Sequence, residues 1–146
     1  MQGSSFKAQG LGIGCGSAVG EDEPMKDIRI KFIPVGEMRY PSTGDYFETD
    51  KTIEFRIALM PNEIHMAAVL LHEVAEFFDV RRRGVLLKDI DNFDMSHPEL
   101  DEPGWDKAAP YAVSHALADA VERVFILGAG EFWPEYDEAV ENLFKE

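Results

Sequence analysis

The segment VLLHEVAEFFDV, Val69 to Val80, carries His72, Glu73, Glu76 and Asp79 inside an otherwise apolar run. Burying an imidazole or a carboxylate without a partner costs several kcal/mol or shifts its pKa. These groups must therefore be held by a neighbouring helix, by solvent or by a metal ion. His72 and Glu76 are four residues apart, so a helix stacks them on one face with Cβ atoms about 5–6 Å apart. A histidine nitrogen and a carboxylate oxygen so placed reach one cation at about 2.0–2.2 Å. Glu73 projects about 100° round the axis, where it can approach a water on that cation without ligating it. Two ligands one turn apart with a base between them is the division of labour in helical metal-hydrolase motifs.

A third ligand has to come from elsewhere, and His115, midway along a second helical segment, is the candidate. Asp119 and Glu122 lie four and seven positions further along the same face and are the reserve ligands. Three protein ligands leave a fourth position open to water. This polar stripe lies opposite an apolar one, Val113-Leu117-Val124, so the titratable stripes of the two helices are expected to face each other. The competing reading is local pairing, His72 with Glu76 and His115 with Asp119, as acidic helices readily form. The narrow exposed arc left to His72 by Leu70, Leu71 and Val74 favours the metal. His65 is expected in an exposed first turn. His97, ahead of Pro98, is read as a loop residue that reaches the site only on loop closure. Tyr46 and Tyr111 are unranked candidates for oxyanion donors.

The elements that must position these residues are legible from their periods. IRIKFI alternates from Ile28 to Phe32, which predicts a half-buried strand ended by Pro34. YPSTGD is a turn cluster, after which YFE and TIEFRIAL form a hairpin with Ile53, Phe55, Ile57 and Leu59 on one face. Asn62 is the expected N-cap of a helix from Glu63 to Arg83, stopped by Gly84, with Ile64, Ala67, Leu71, Val74 or Ala75, and Phe78 as its core stripe. Lys88 to Lys107 reads as a long acidic loop of the kind that often serves as a lid. A second long helix opens near Pro110 and runs to Gly128, with Val113, Leu117, Val121 and Val124 as its apolar stripe. A third starts at Pro134, with Tyr136, Val140, Leu143 and Phe144 inward. The expected fold class is α+β: a small antiparallel sheet of three strands, a metal-site helix, the acidic loop and two further helices.

Residues 1–24 have a different composition and are set apart as a flexible arm or an expression scar, leaving one domain over 25–146. That length supports a real core. Asp plus Glu outnumber Lys plus Arg by 28 to 14, a net charge of −14, which argues against a phosphate-backbone binder. Arg81-Arg82-Arg83 falls at a helix C-terminus, where cations interact favourably with the dipole. The single cysteine, Cys15, cannot form an intrachain disulfide, in keeping with a reducing cytosol. No apolar run approaches a membrane span. A cytoplasmic location is therefore expected, with no nucleic-acid or membrane partner.

IEFRIALMPNEIHMAAVLLHEVAEF, Ile53 to Phe77, resembles the core of zincin-type metallopeptidases, in which a strand precedes a helix bearing H-E-x-x-H. With DNFDMSHPELDEPGWDKAAPY, Asp91 to Tyr111, it is more specifically similar to small phage and bacterial proteins with an H-E-x-x-E helix, an acidic loop and a downstream His helix. The resemblance covers Asp27 to about Glu141. It implies a zinc-type hydrolase in which His72, Glu76 and His115 hold Zn²⁺ or another divalent metal and Glu73 is the base. It further implies an extended peptide along Thr52–Leu59, and a host-cytosol location if the chain is phage-encoded. Glu76 stands where zincins carry their second histidine, so glutamate and histidine have exchanged helices relative to the gluzincin arrangement. HD-type phosphohydrolases need an aspartate where Glu73 stands. Glu73-x-x-Glu76 and Asp119-x-x-Glu122 loosely match the magnesium motifs of all-α pyrophosphatases, but the strands argue against that fold. The alternative function is a non-enzymatic acidic protein, an inhibitor of a basic protein partner or a structural accessory, on a degenerate zincin scaffold.

Overall fold

A three-stranded sheet packs against a long helix, which packs in turn against a second, in a computed structural model that describes residues 25–145. The expected arm or scar over residues 1–24 lies outside the described residues. Strands β1 (Asp27–Ile33), β2 (Gly44–Glu48) and β3 (Thr52–Ala58) precede helices α1 (Glu63–Arg82), α2 (Leu87–Ser96), α3 (Ala112–Gly128) and α4 (Trp133–Asn142). Short 3₁₀ turns occupy Val35–Glu37 and Pro103–Trp105. The α+β class and the three strands are as expected.

The sheet is mixed rather than antiparallel. β2 pairs antiparallel with β3, from Gly44↔Ile57 to Glu48↔Ile53, but β1 pairs parallel with β3, from Asp27↔Thr52 to Ile33↔Ala58. The strand order β1-β3-β2 explains this. β3 carries the buried row Ile53, Phe55, Ile57 and takes the centre, where both its edges are hydrogen-bonded. β2 reverses the chain after β1 and β3 reverses it again, so β1 and β3 run the same way. A central β3 has no free edge for a peptide along Thr52–Leu59; the free edges belong to β1 and β2. Ile28, Ile30 and Phe32 share the inner face yet stay exposed, because α1 packs over β3 and β2.

Asn62 caps α1 as expected, its side chain accepting from the N–H groups of Ile64 and His65, and Gly84 follows the helix with a positive φ of 72°. The core stripe is rotated from the expected one. The buried residues are His65, Ala68, Val69, Glu76, Phe77, Asp79 and Val80, while Phe78 is exposed. α1 lies between the sheet and α3 and buries both apolar and titratable residues, so periodicity could not select its buried face. His65, expected in solvent, is buried against Tyr136.

The expected acidic loop contains α2. Leu87, Ile90 and Phe93, with Val85 just ahead of the helix, pack on Val80, Ala109 and Tyr111, and the helical spacing of the three is obscured by the intervening Lys88, Asp89, Asp91 and Asn92. In α3 the polar stripe faces α1 as expected. Its apolar stripe therefore faces solvent rather than the core, and the buried residues are Ser114, Ala118 and Ile126. α4 turns Tyr136 inward onto Ile57, Met60, Ala68, Val69 and Ile126, which closes the largest apolar cluster.

Candidate metal centre

The titratable residues of α1 and α3 meet on the wall of a cleft of about 890 Å³. His72, Glu76 and His115 each present one ligand atom to a common point, these atoms lying within 4.8 Å of one another, so the three could hold a metal ion. Glu76 Oε2 is 3.3 Å from His72 Nε2 and 2.9 Å from His115 Nδ1. Ligand atoms about 2.0–2.2 Å from a tetrahedral ion stand about 3.3–3.6 Å apart, so small side-chain shifts admit the ion. Helical phase explains the convergence: His72 and Glu76 stack at i, i+4 on α1, and His115 reaches them from the facing side of α3.

A second layer of hydrogen bonds orients these atoms. His72 Nδ1 donates to Glu122 Oε2 at 2.7 Å, which leaves Nε2 facing Glu76. Tyr136 donates its hydroxyl to the other oxygen of Glu122, and Tyr46 donates to Glu76 Oε1 at 2.7 Å. A carboxylate on the far nitrogen of a ligating histidine fixes its tautomer and ring orientation. Of the reserve ligands, Glu122 thus sits behind His72, and Asp119 accepts from Arg123 Nε at 2.7 Å. His115 pairs with Glu76 rather than Asp119, so the local-pairing alternative does not describe α3. His97 lines the cleft but donates Nδ1–H to the Phe93 carbonyl and stacks on the Phe93 ring, outside the triad.

Two glycines from separate elements, Gly44 at the start of β2 and Gly104 in the second 3₁₀ turn, leave room for site residues. A Cβ at Gly44 would lie 2.6 Å from Glu73 Oε1, and one at Gly104 would lie 2.6 Å from His115 Cγ. Trp105, beside Gly104, meets the His115 ring edge-on at 4.9 Å. Sequence reasoning missed Tyr136, Gly44 and Gly104 as site-supporting residues. None carries a local signal, because each acts on a residue far away in sequence. Tyr111, one of the two unranked tyrosines, faces the cleft and donates to Asp94 at 2.8 Å. The other, Tyr46, is committed to Glu76.

The electrostatics follow from burial opposed by pairing. Burial works against a charge on His72, but its hydrogen bonds to Glu122 and Glu76 and the charge of Glu73 outweigh it and raise the imidazole to about 11. Burial likewise opposes ionisation of Glu76, yet the hydrogen bonds from His115 and His72 hold it below the usual carboxylate range. Among the described residues Glu73 has no such partner. Loss of solvent pushes it well above that range, the charge of Glu76 adds to the effect, and His72 offsets part of it. Two carboxylates on one helix thus have opposite proton affinities, the pattern that separates a ligand from a base.

Comparison with protein-family models, curated proteins and solved structures found no match.

Proposed function

We propose that the protein is a metal-dependent hydrolase of zincin-like chemistry, with zinc as the favoured ion. The observation that supports this most directly is the convergence of His72, Glu76 and His115 on one point beside a large cleft. Two histidines and one carboxylate are a donor set that suits zinc and matches that of catalytic zinc sites. His72, Glu76 and His115 would hold a divalent ion, which would supply Lewis acidity and lower the pKa of a bound water. Glu73, with its raised proton affinity, takes a proton from the attacking water and returns it to the leaving group. Glu76 is kept anionic by its imidazole neighbours, and Tyr46 fixes its orientation. If the substrate is an extended peptide, β2 is the free edge beside the cleft, since Tyr46 and Gly44 both belong to it and line the cavity.

The net charge of −14 supports a second reading, a non-catalytic acidic binder of a basic protein. One experiment separates the two. Purified protein is assayed for metal content and for thermal shift on chelation, and Glu73→Gln is tested against a peptide library. The hydrolase reading expects about one metal per chain, a Tm that falls on chelation, and a variant that keeps its metal but loses turnover. Metal-free protein whose Tm ignores both chelator and added zinc supports the binder instead.

A further inference from the structure

The apolar stripe that α3 turns away from the core has a specific period. Val113, Leu117, Ala120, Val124 and Leu127 follow one another at spacings of four, three, four and three residues, the 3.5-residue repeat of a coiled-coil seam. The four large members are all exposed: Val113 61%, Leu117 45%, Val124 71% and Leu127 65%. The seam runs about 21 Å along the helix and lies opposite His115 and Glu122, so covering it leaves the cleft open.

The charge along this face says what covers it. The seam and its flanks, Ala116, Val121, Arg123 and Gly128, contain no carboxylate, although acidic residues number 28 in the chain. The one charge, Arg123, is matched by Asp119 on the same helix and stacked over Trp133 at 4.2 Å. A cationic partner would find no counter-charge here, whereas a second copy of the same face meets no repulsion.

We propose that α3 pairs antiparallel with α3 of a second copy of this chain, making a two-fold dimer through Val113, Leu117, Ala120, Val124 and Leu127. Val113 packs against Leu127 of the other copy and Leu117 against Val124, while the small Ala120 on the axis lets the helices approach closely. The seam offers about 300–400 Å² per copy by side-chain transfer areas. That is below the standard interface size and marks a weak, transient association. The inference does not depend on the metal or on catalysis.

The test is sedimentation velocity on the full chain between about 5 and 200 µM, a range suited to a weak association. The wild type should move from monomer toward dimer mass across it. L117E/V124E should stay monomeric at every concentration with unchanged circular dichroism, since both side chains are exposed. In a Cys15→Ser background, Ala120→Cys should cross-link to its own copy on oxidation and Val113→Cys should not. A wild type that stays monomeric throughout overturns the proposal. A dimer that survives L117E/V124E overturns it too, and an Ile30→Glu variant then tests the β1 edge as the interface. Cross-linking through Val113→Cys overturns the antiparallel arrangement.

Discussion

His72 is satisfied inside its helix by a carboxylate on each ring nitrogen, Glu122 at 2.7 Å and Glu76 at 3.3 Å. Removing the rear partner should loosen the front one. Glu122→Gln and Tyr136→Phe are expected to weaken metal affinity about 10–100-fold, the usual cost of losing an outer-shell partner, measured by competition with a chromophoric chelator. Unchanged affinity in both would mean that His72 is oriented by packing alone. The two glycines make a sharper pair. Gly104→Ala drives a methyl into the His115 ring, so it should lower metal affinity. Gly44→Ala drives one into the Glu73 carboxylate, so it should lower turnover while the metal stays bound. The same assays on both variants check this, and a reversed pattern would exchange the roles of Glu73 and His115.

Among the elements, α1 and α3 are tied together beyond the centre by Asp79. It accepts from Arg83 at 2.7 Å, from Arg82 at 2.8 Å and from the buried Ser114 hydroxyl on α3 at 2.8 Å. Arg83 is the main cause of a carboxyl held at about 2, with burial opposing and Arg82 and Ser114 assisting. A folded-state value below the unfolded one means that this stabilisation is present above about pH 4 and fades between about pH 4 and 2. Asp79→Ala should therefore cost about 1–3 kcal/mol at neutral pH, limited by the exposure of the two arginines. The gap to wild type in urea denaturation should narrow as pH approaches 2. A gap independent of pH would assign the loss to packing. Elements bounded by caps and prolines were legible in the sequence: Asn62 and Gly84 frame α1, and Pro34 directly follows β1. The facing of the polar stripes of α1 and α3 was legible too, because two helices bearing carboxylates and imidazoles satisfy them best against each other. The phase of α1 was not, since its polar stripe is itself buried against α3 and does not mark the outside. α2 was hidden because its acidic residues read as loop while its three apolar anchors, Leu87, Ile90 and Phe93, only make sense against Val80 and Tyr111. The parallel pairing of β1 was beyond local reading, since it follows from which strand takes the centre.

At the scale of the whole molecule the −14 charge is unevenly placed, and the uneven placement predicts what the cleft prefers. Glu73, Asp91, Asp94, Asp101, Glu102 and Asp119 all line it. Arg39, the one guanidinium there among the described residues, is already committed to the buried Asp45 through bonds of 2.6 and 2.9 Å. A divalent ion neutralises only part of that field. A cleft with walls of one sign concentrates ligands of the other, and the effect weakens as salt shortens the reach of the field. Lysine- or arginine-bearing peptides should therefore bind the metal-loaded protein more tightly than acidic peptides of equal length. The preference should shrink as salt rises from about 0.05 M to about 0.5 M, where the screening length falls from above to below 10 Å. Neutralising Asp91, Asp101 and Glu102 together should remove most of it, whereas neutralising Glu135, Asp137 and Glu138 on α4 should not. Titration of fluorescent peptides reads both changes. Equal losses from the two triple variants would show that the net charge of the molecule, rather than the walls of the cleft, selects the ligand.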